Sequence, residues 1–422
     1  MVIDTFTFAH SRPFQKWLRD MGLQFNPFAH LESATDPHLL RYTVVHEGLA
    51  RVWESGNALI FAPVGGGKTA LRLYATWNSL RSLYTFFAIP YVLPSHWDSL
   101  PPADFALHGK ELLVATANAV LTMLLTFPQR FLQLPTSVQN ELRALLWSMQ
   151  PELEWILDQW QEESWEDSLA TLLSPALRGG FLPPSQDRLD TVISYLQNKK
   201  STNKNKNPFL ILKEIFTILH QHLEYQSIHF LVDGVDAFFE TNHNIEDGTG
   251  AQWLEEWLTG FSKTFQSPIF TKIFVPEMFR PNFHAQELGH LWPEAHLEWT
   301  QGMLVEMLRR RLYVASQGRF DSLEPLTAMD VHNLDWQLVQ MASPPTPREV
   351  LWLANRLLIE HYQYHQAMNL LEEKDVRRLE YIYRRGRSEG KNTNKIIKRT
   401  AKTRTENINQ WETQNWGYKN DR

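Results

Sequence analysis

The sequence predicts an α/β protein: a parallel sheet flanked by helices, with a helical insertion and a helical C-terminal domain. Three observations carry that prediction. Ala58 to Ala62 is an apolar run of strand length that ends in a glycine turn and continues as a helical pattern. Ile228 to Val232 is a second apolar run, broken only by His229, of the kind buried on both faces of a parallel sheet. Between the two, residues 110–200 repeat Leu and Trp at helical spacing.

The first run continues as Ala62-Pro63-Val64-Gly65-Gly66-Gly67-Lys68-Thr69-Ala70. Strand, glycine loop and helix in that order are the setting of a phosphate-binding loop, in which backbone N–H groups and the helix dipole form an anion cradle. Lys68 is then expected to reach the β- and γ-phosphates, and the Thr69 hydroxyl to take one Mg2+ position. Ala62 replaces the first glycine of G-x-x-x-x-G-K-[ST], which leaves the tight turn to Gly65, Gly66 and Gly67. The second run ends in Asp233. A carboxylate there is costly unless it is employed, and ligands of open α/β sheets bind at the carboxyl ends of strands. Asp233 is therefore the candidate Walker B carboxylate, holding Mg2+ directly or through water. An ordinary strand followed by a turn is the bland alternative.

Composition bounds the rest. At 422 residues the chain has room for two or three domains, and 43% hydrophobic content with 16 Trp and 24 Phe supplies a large core. There is no Cys, which removes disulfides, thiolate zinc sites and Cys nucleophiles together. With no basic n-region ahead of an apolar core at residues 1–10 and no apolar run near membrane-span length, the expectation is a cytoplasmic protein without membrane contact. The net charge of −6 is unevenly placed, since residues 384–422 hold 11 Lys/Arg against 4 Asp/Glu.

The expected organisation is an N-terminal arm (1–25), a core (26–300) with a helical insertion at about 95–226, a C-terminal helical domain (301–383) and a basic tail (384–422). Further strands are expected from Leu83 to Ile89, from Ile269 to Pro276 and from His296 to Trp299. Residues 38–54, directly before the first strand, either build an adenine pocket or only pack. Thr346 and Glu349 form a T-x-x-E capping box, with Pro347 at the first helical position. That puts Arg348 in a first turn, where the dipole disfavours a cation unless an anion stands opposite. It reads either as a γ-phosphate sensor or as a salt-bridged surface arginine.

In that order these pieces resemble the P-loop ATPases of the AAA+/STAND group, which includes the origin-initiator ATPases. The matching residues are Asn26-Pro27-Phe28, the 62–69 loop, Leu231 to Asp236, and Ser343 to Glu349 with Leu351, Leu353, Asn355, Arg356 and Leu357 after it. The resemblance implies an ASCE-type sheet with a helical lid, ATP and Mg2+ as cofactors, Asn26, Pro27 and Phe28 near the nucleotide, and Arg348 as sensor 2. It places Arg280 near the sensor-1 or arginine-finger region. One departure matters: AAA+ machines carry a Glu directly after the Walker B Asp, and here that position is Gly234. Asp236 is then the candidate for positioning water, with Glu240 in reserve. The implied function is an ATP-dependent, slowly hydrolysing switch acting through a protein partner or self-assembly. An ATP-licensed nucleic-acid binder and a nucleotide-holding scaffold without turnover are the alternatives.

Other constellations point elsewhere. His361 and His365 are spaced for one helix face, but the sequence offers no H-E-x-x-H pattern and no evident third ligand, so no zinc site is expected. Trp411, Trp416 and Tyr418 interleave with basic residues in the tail. That suits single-stranded nucleic acid, an acidic protein surface or a solubility tail alike. No N-K-x-D-like guanine discriminator follows the loop, so ATP is expected over GTP.

Overall fold

Five strands, β1 (Ala58–Ala62), β2 (Phe86–Val92), β3 (Ser227–Asp233), β4 (Ile269–Pro276) and β5 (Glu294–His296), form one sheet in the order β2-β3-β4-β1-β5. Every pairing is parallel, as the apolar runs predict. The computed structural model describes residues 11–46, 48–82, 85–93, 102–177, 180–198, 206–236, 249–280, 292–365 and 370–388. The described residues divide into two compact units, one within Glu32–Trp299 and one within Met1–Leu31 and Thr300–Arg422.

In the sheet unit, alternate residues of the strands feed two apolar layers, the period-two consequence of the pleat. Leu59, Phe61, Phe87, Ile89, Phe230, Val232, Ile273 and Val275 pack with the helices of the insertion. These include Gly109–Thr126, Thr136–Met149, Leu153–Glu162, Gln186–Gln197 and Pro208–Gln221. The opposite face, Ile60, Ala62, Ala88, Leu231 and Phe274, packs on the short Gly48–Trp53 helix and on the Lys68–Arg81 helix. The insertion is thus one wall of the main core.

Two buried polar side chains fix that short helix to the sheet. Lys272, 1% exposed in the middle of β4, donates to the carbonyls of Arg51 at 2.6 Å and Glu54 at 2.8 Å. The Nδ1 of His229 in β3 donates to the carbonyl of Val52 at 3.0 Å. Carbonyls that a helix end leaves without partners are therefore satisfied from the strands beneath. Burial pushes the Lys272 ammonium down to about 8. Burial, and then the Lys272 charge, lower His229 to about 3.

Two strand expectations shift. β2 begins at Phe86; Leu83 and Tyr84 lie outside the described residues. β5 is Glu294–His296, not His296 to Trp299: its three residues pair with Leu59 to Phe61 of β1, and the Leu297 N–H adds a last bond to the Phe61 carbonyl before the pairing ends.

The second unit is helical. Its main helices are Arg12–Asp20, Gln301–Ala315, Leu334–Met341, Pro347–His365 and Glu373–Ser388. Phe14 and Trp17 of the first pack their rings on Tyr362, and Trp17 also meets His361. The core expected to start at residue 26 starts instead at Glu32, because Asn26 to Phe28 is bonded into the helical unit. Among the described residues no helix is long and apolar enough to cross a membrane.

Asp335, 2% exposed in this unit, gives a pH-dependent expectation. Burial pushes its carboxyl up to about 6, against a hydrogen bond from the Leu323 N–H and the charge of Arg309. In the unfolded chain the same group ionises near pH 4. Folding therefore carries no penalty from Asp335 below about pH 4, and a growing one as pH rises to about 6, reaching about 3 kcal/mol above it. Asp335→Asn should raise the unfolding free energy by up to that amount at pH 7 and hardly at all at pH 4, measured by urea unfolding at both. An equal gain at both values would assign the effect to something other than the charge.

Candidate functional site

The loop after β1 closes through backbone geometry. Gly66 N–H donates to the Pro63 carbonyl at 2.9 Å, and Gly65 and Gly67 have φ of 77° and 91°. At Gly67 the left-handed backbone favours glycine, and the Trp299 indole lies 3.5 Å from where a Cβ would stand, an ordinary contact. Gly67 also caps the Lys68–Arg81 helix without any side-chain cap, and no acidic residue stands in its first turn. The helix therefore presents its first N–H groups and its positive dipole end to whatever enters the loop.

Lys68 is 5% exposed and its ammonium folds back onto the loop. It donates to the carbonyls of Ala62 at 3.1 Å and Pro63 at 3.3 Å and pairs with Asp236 at 2.9 Å. Those three oxygens match the three N–H bonds of an ammonium. The Thr69 hydroxyl donates to Asp233 Oδ2 at 2.9 Å, across a sequence separation of 164 residues. The Arg72 Nε donates to the same oxygen at 2.9 Å, and Asp233 Oδ1 accepts the Gly234 N–H at 2.8 Å. Lys68, Thr69, Asp233 and Asp236, called from the sequence, thus come together at the carboxyl ends of β1 and β3.

The absent Glu has a local reason. Gly234 has φ of 92°, and a Cβ there would stand 3.4 Å from the Leu93 nitrogen and from Val92 Cγ1. A Glu would be strained, since the chain must turn sharply for its N–H to reach Asp233. The next acid that emerges is Asp236.

The other called residues are placed as follows. Arg280 follows β4 and pairs with Glu277 at 3.4 Å and Glu294 at 3.6 Å, so its charge is met within an acidic group that also holds His296. Asn26, Pro27 and Phe28 belong to the helical unit. The Asn26 amide donates to Asn355 at 2.7 Å, its carbonyl oxygen accepts the Phe28 N–H at 3.0 Å, and Arg311 donates to the Pro27 carbonyl at 2.9 Å. Arg311 is thereby a buried structural residue. Arg348 lies in the first turn of Pro347–His365, with Thr346 Oγ1 accepting the Glu349 N–H at 3.4 Å, and its Nε is buried with no hydrogen-bond partner among the described residues. Glu240 and residues 389–422, including Trp411, Trp416 and Tyr418, lie outside the described residues.

Three residues were missed. Arg72, four positions after Lys68 and so on the same helix face, was a readable signal. Trp299 donates its indole N–H to the Gly66 carbonyl at 2.8 Å and lies 6.0 Å from the His46 ring, whose Nε2 donates to the Glu298 carbonyl at 2.9 Å. The third is Asp375, which corrects the expectation that His361 and His365 have no third ligand. Its carboxylate meets His361 Nδ1 at 2.9 Å and His365 Nε2 at 3.2 Å. Nothing local announced it, because Asp375 stands on a different helix, ten residues after His365.

Scanning protein-family models, curated proteins and solved structures finds no match to this chain.

Proposed function

We propose that the chain is a P-loop NTPase of the AAA+/STAND type that binds MgATP and works as a slowly hydrolysing, nucleotide-dependent switch. The observation that carries this reading is the 2.9 Å contact between Thr69 Oγ1 and Asp233 Oδ2 beside a glycine loop whose lysine is already inside it. Two hard oxygen donors side by side suit Mg2+, so Thr69 and Asp233 are the residues that would hold it. Bound there, the ion would neutralise charge on the β- and γ-phosphates. The strand order, with β4 between the loop strand and the Asp233 strand, supports the ASCE-type reading.

The chain's own groups suggest how the switch works. With nucleotide and metal bound, Lys68 would exchange Asp236 for phosphate oxygens, and Asp233, now paired with Arg72, would help hold the metal. Asp236, released from Lys68, is then available to orient the attacking water. Binding replaces two internal ion pairs, so the nucleotide-bound and nucleotide-free forms differ in their contacts, as a switch requires.

The test is MgATP binding and phosphate release by the full chain, with Asp236→Ala alongside. Wild-type protein should bind MgATP and release phosphate slowly, while Asp236→Ala still binds and loses turnover by about 10-fold or more. Absence of nucleotide binding by the wild type would defeat the reading. Equal release by both proteins would leave a scaffold that holds nucleotide without Asp236-dependent hydrolysis.

A further inference from the structure

Besides the loop site, the helical unit holds a second convergence of chemically competent side chains. His361 and His365 lie one turn apart on the Pro347–His365 helix, and both rings turn toward Asp375 in the first turn of Glu373–Ser388. One ligand atom from each of the three lies within 4.8 Å of the others. His361 Nδ1 meets Asp375 Oδ2 at 2.9 Å and His365 Nε2 meets Oδ1 at 3.2 Å, so each imidazole faces a different oxygen of the one carboxylate.

We propose that His361, His365 and Asp375 form a binding site for a divalent transition metal of the zinc type. Two imidazoles and a carboxylate are a borderline-soft N/O donor set, which favours Zn2+, Co2+ or Ni2+ over Mg2+ or Ca2+. The surroundings have the form of an outer shell. Asp375 is fully buried, and its Oδ2 accepts the Glu372 N–H at 2.9 Å, which fixes the carboxylate plane. His361 is fully buried with the Trp17 ring 5.8 Å away, which walls one side with apolar surface. The His365 side chain is 16% exposed and marks the open side, where an ion would enter and a water could complete the coordination. The Arg378 guanidinium, 3.8 Å from the same Oδ1 that His365 meets, balances the carboxylate's charge when no metal is bound. The site holds a helix pair together, so a bound ion would act as a clamp within this unit, independent of nucleotide.

The experiment uses the full chain stripped with a chelator and titrated with Zn2+ by calorimetry and with Co2+ by visible absorption. The expected result is one equivalent bound at micromolar affinity or tighter, with cobalt d–d bands of a four- or five-coordinate site and a raised melting midpoint. His365→Gln, at the half-open ligand, should keep the fold by circular dichroism and weaken that equivalent by about 100-fold or more. Asp375→Asn should do the same, and if it unfolds, His365→Gln alone decides. Zinc binding of the same stoichiometry and affinity in wild type and His365→Gln would overturn the proposal, as would no binding by the wild type. In either case the triad is a hydrogen-bonded helix clamp only.

Discussion

Lys68→Ala should abolish measurable MgATP binding while leaving the fold intact. The ammonium is the one cation inside the loop, and each charge-assisted bond it would make to phosphate contributes about 1.5–3 kcal/mol. Losing two such bonds weakens binding by about 100-fold or more, which fluorescent-nucleotide titration reads directly. The folded chain loses little. Asp236, the acid left behind, is about a quarter exposed and can regain water, so the cost stays below the roughly 3–5 kcal/mol of a fully buried pair. A melting midpoint close to wild type together with lost binding is therefore the expected pair of results. Unchanged nucleotide affinity would mean that phosphate is held somewhere other than this loop.

The second large effect is on stability. Asp233 and Arg72 form a pair with side chains only 7% and 6% exposed. Removing one partner of such a pair costs about 3–5 kcal/mol, because the other charge stays buried without compensation. Asp233→Ala also takes the acceptor from the Thr69 hydroxyl and from the Gly234 N–H. It should lower the unfolding free energy by that amount in denaturant melts. The double variant Arg72→Met with Asp233→Ala should recover more than half of the loss, while still failing to bind Mg2+ with nucleotide. If Asp233→Ala proves as stable as wild type, the guanidinium is not held by this carboxylate in solution. Stability and binding thus separate the two jobs of one side chain: it anchors Arg72 in the ligand-free form and faces the metal position in the proposed bound form.

The parts of this architecture written in local pattern were legible in the sequence. The apolar runs of β1 and β3, the glycine loop and the capping box at Thr346 each occupy a few consecutive residues, and periodicity reports them. The expected insertion was also readable, since Leu112, Ala117, Val120 and Leu124 repeat at helical spacing and all are buried. What escaped depends on pairs far apart in the chain. Arg72 meets Asp233 across 161 residues, and Trp299 meets Gly66 across 233. The strand predicted from His296 to Trp299 failed for the same reason. Its last residue, Trp299, lies beyond the sheet and gives its indole N–H to the Gly66 carbonyl on the loop. Asn26 to Phe28 shows the converse. Those residues were assigned to the nucleotide by resemblance, and their polar groups are met by Asn355 and Arg311 in the helical unit.

The two ion pairs at the loop have a kinetic consequence. Lys68, Arg72, Asp233 and Asp236 carry two positive and two negative formal charges within one small volume. Seen from a Debye length away, such a quartet has no net charge and projects little field into solvent. These four groups therefore add no long-range pull on a polyphosphate or on any other anion. In the proposed function discrimination is deferred until contact, when a ligand that offers both phosphate oxygens for Lys68 and a cation for Asp233 would replace both pairs at once.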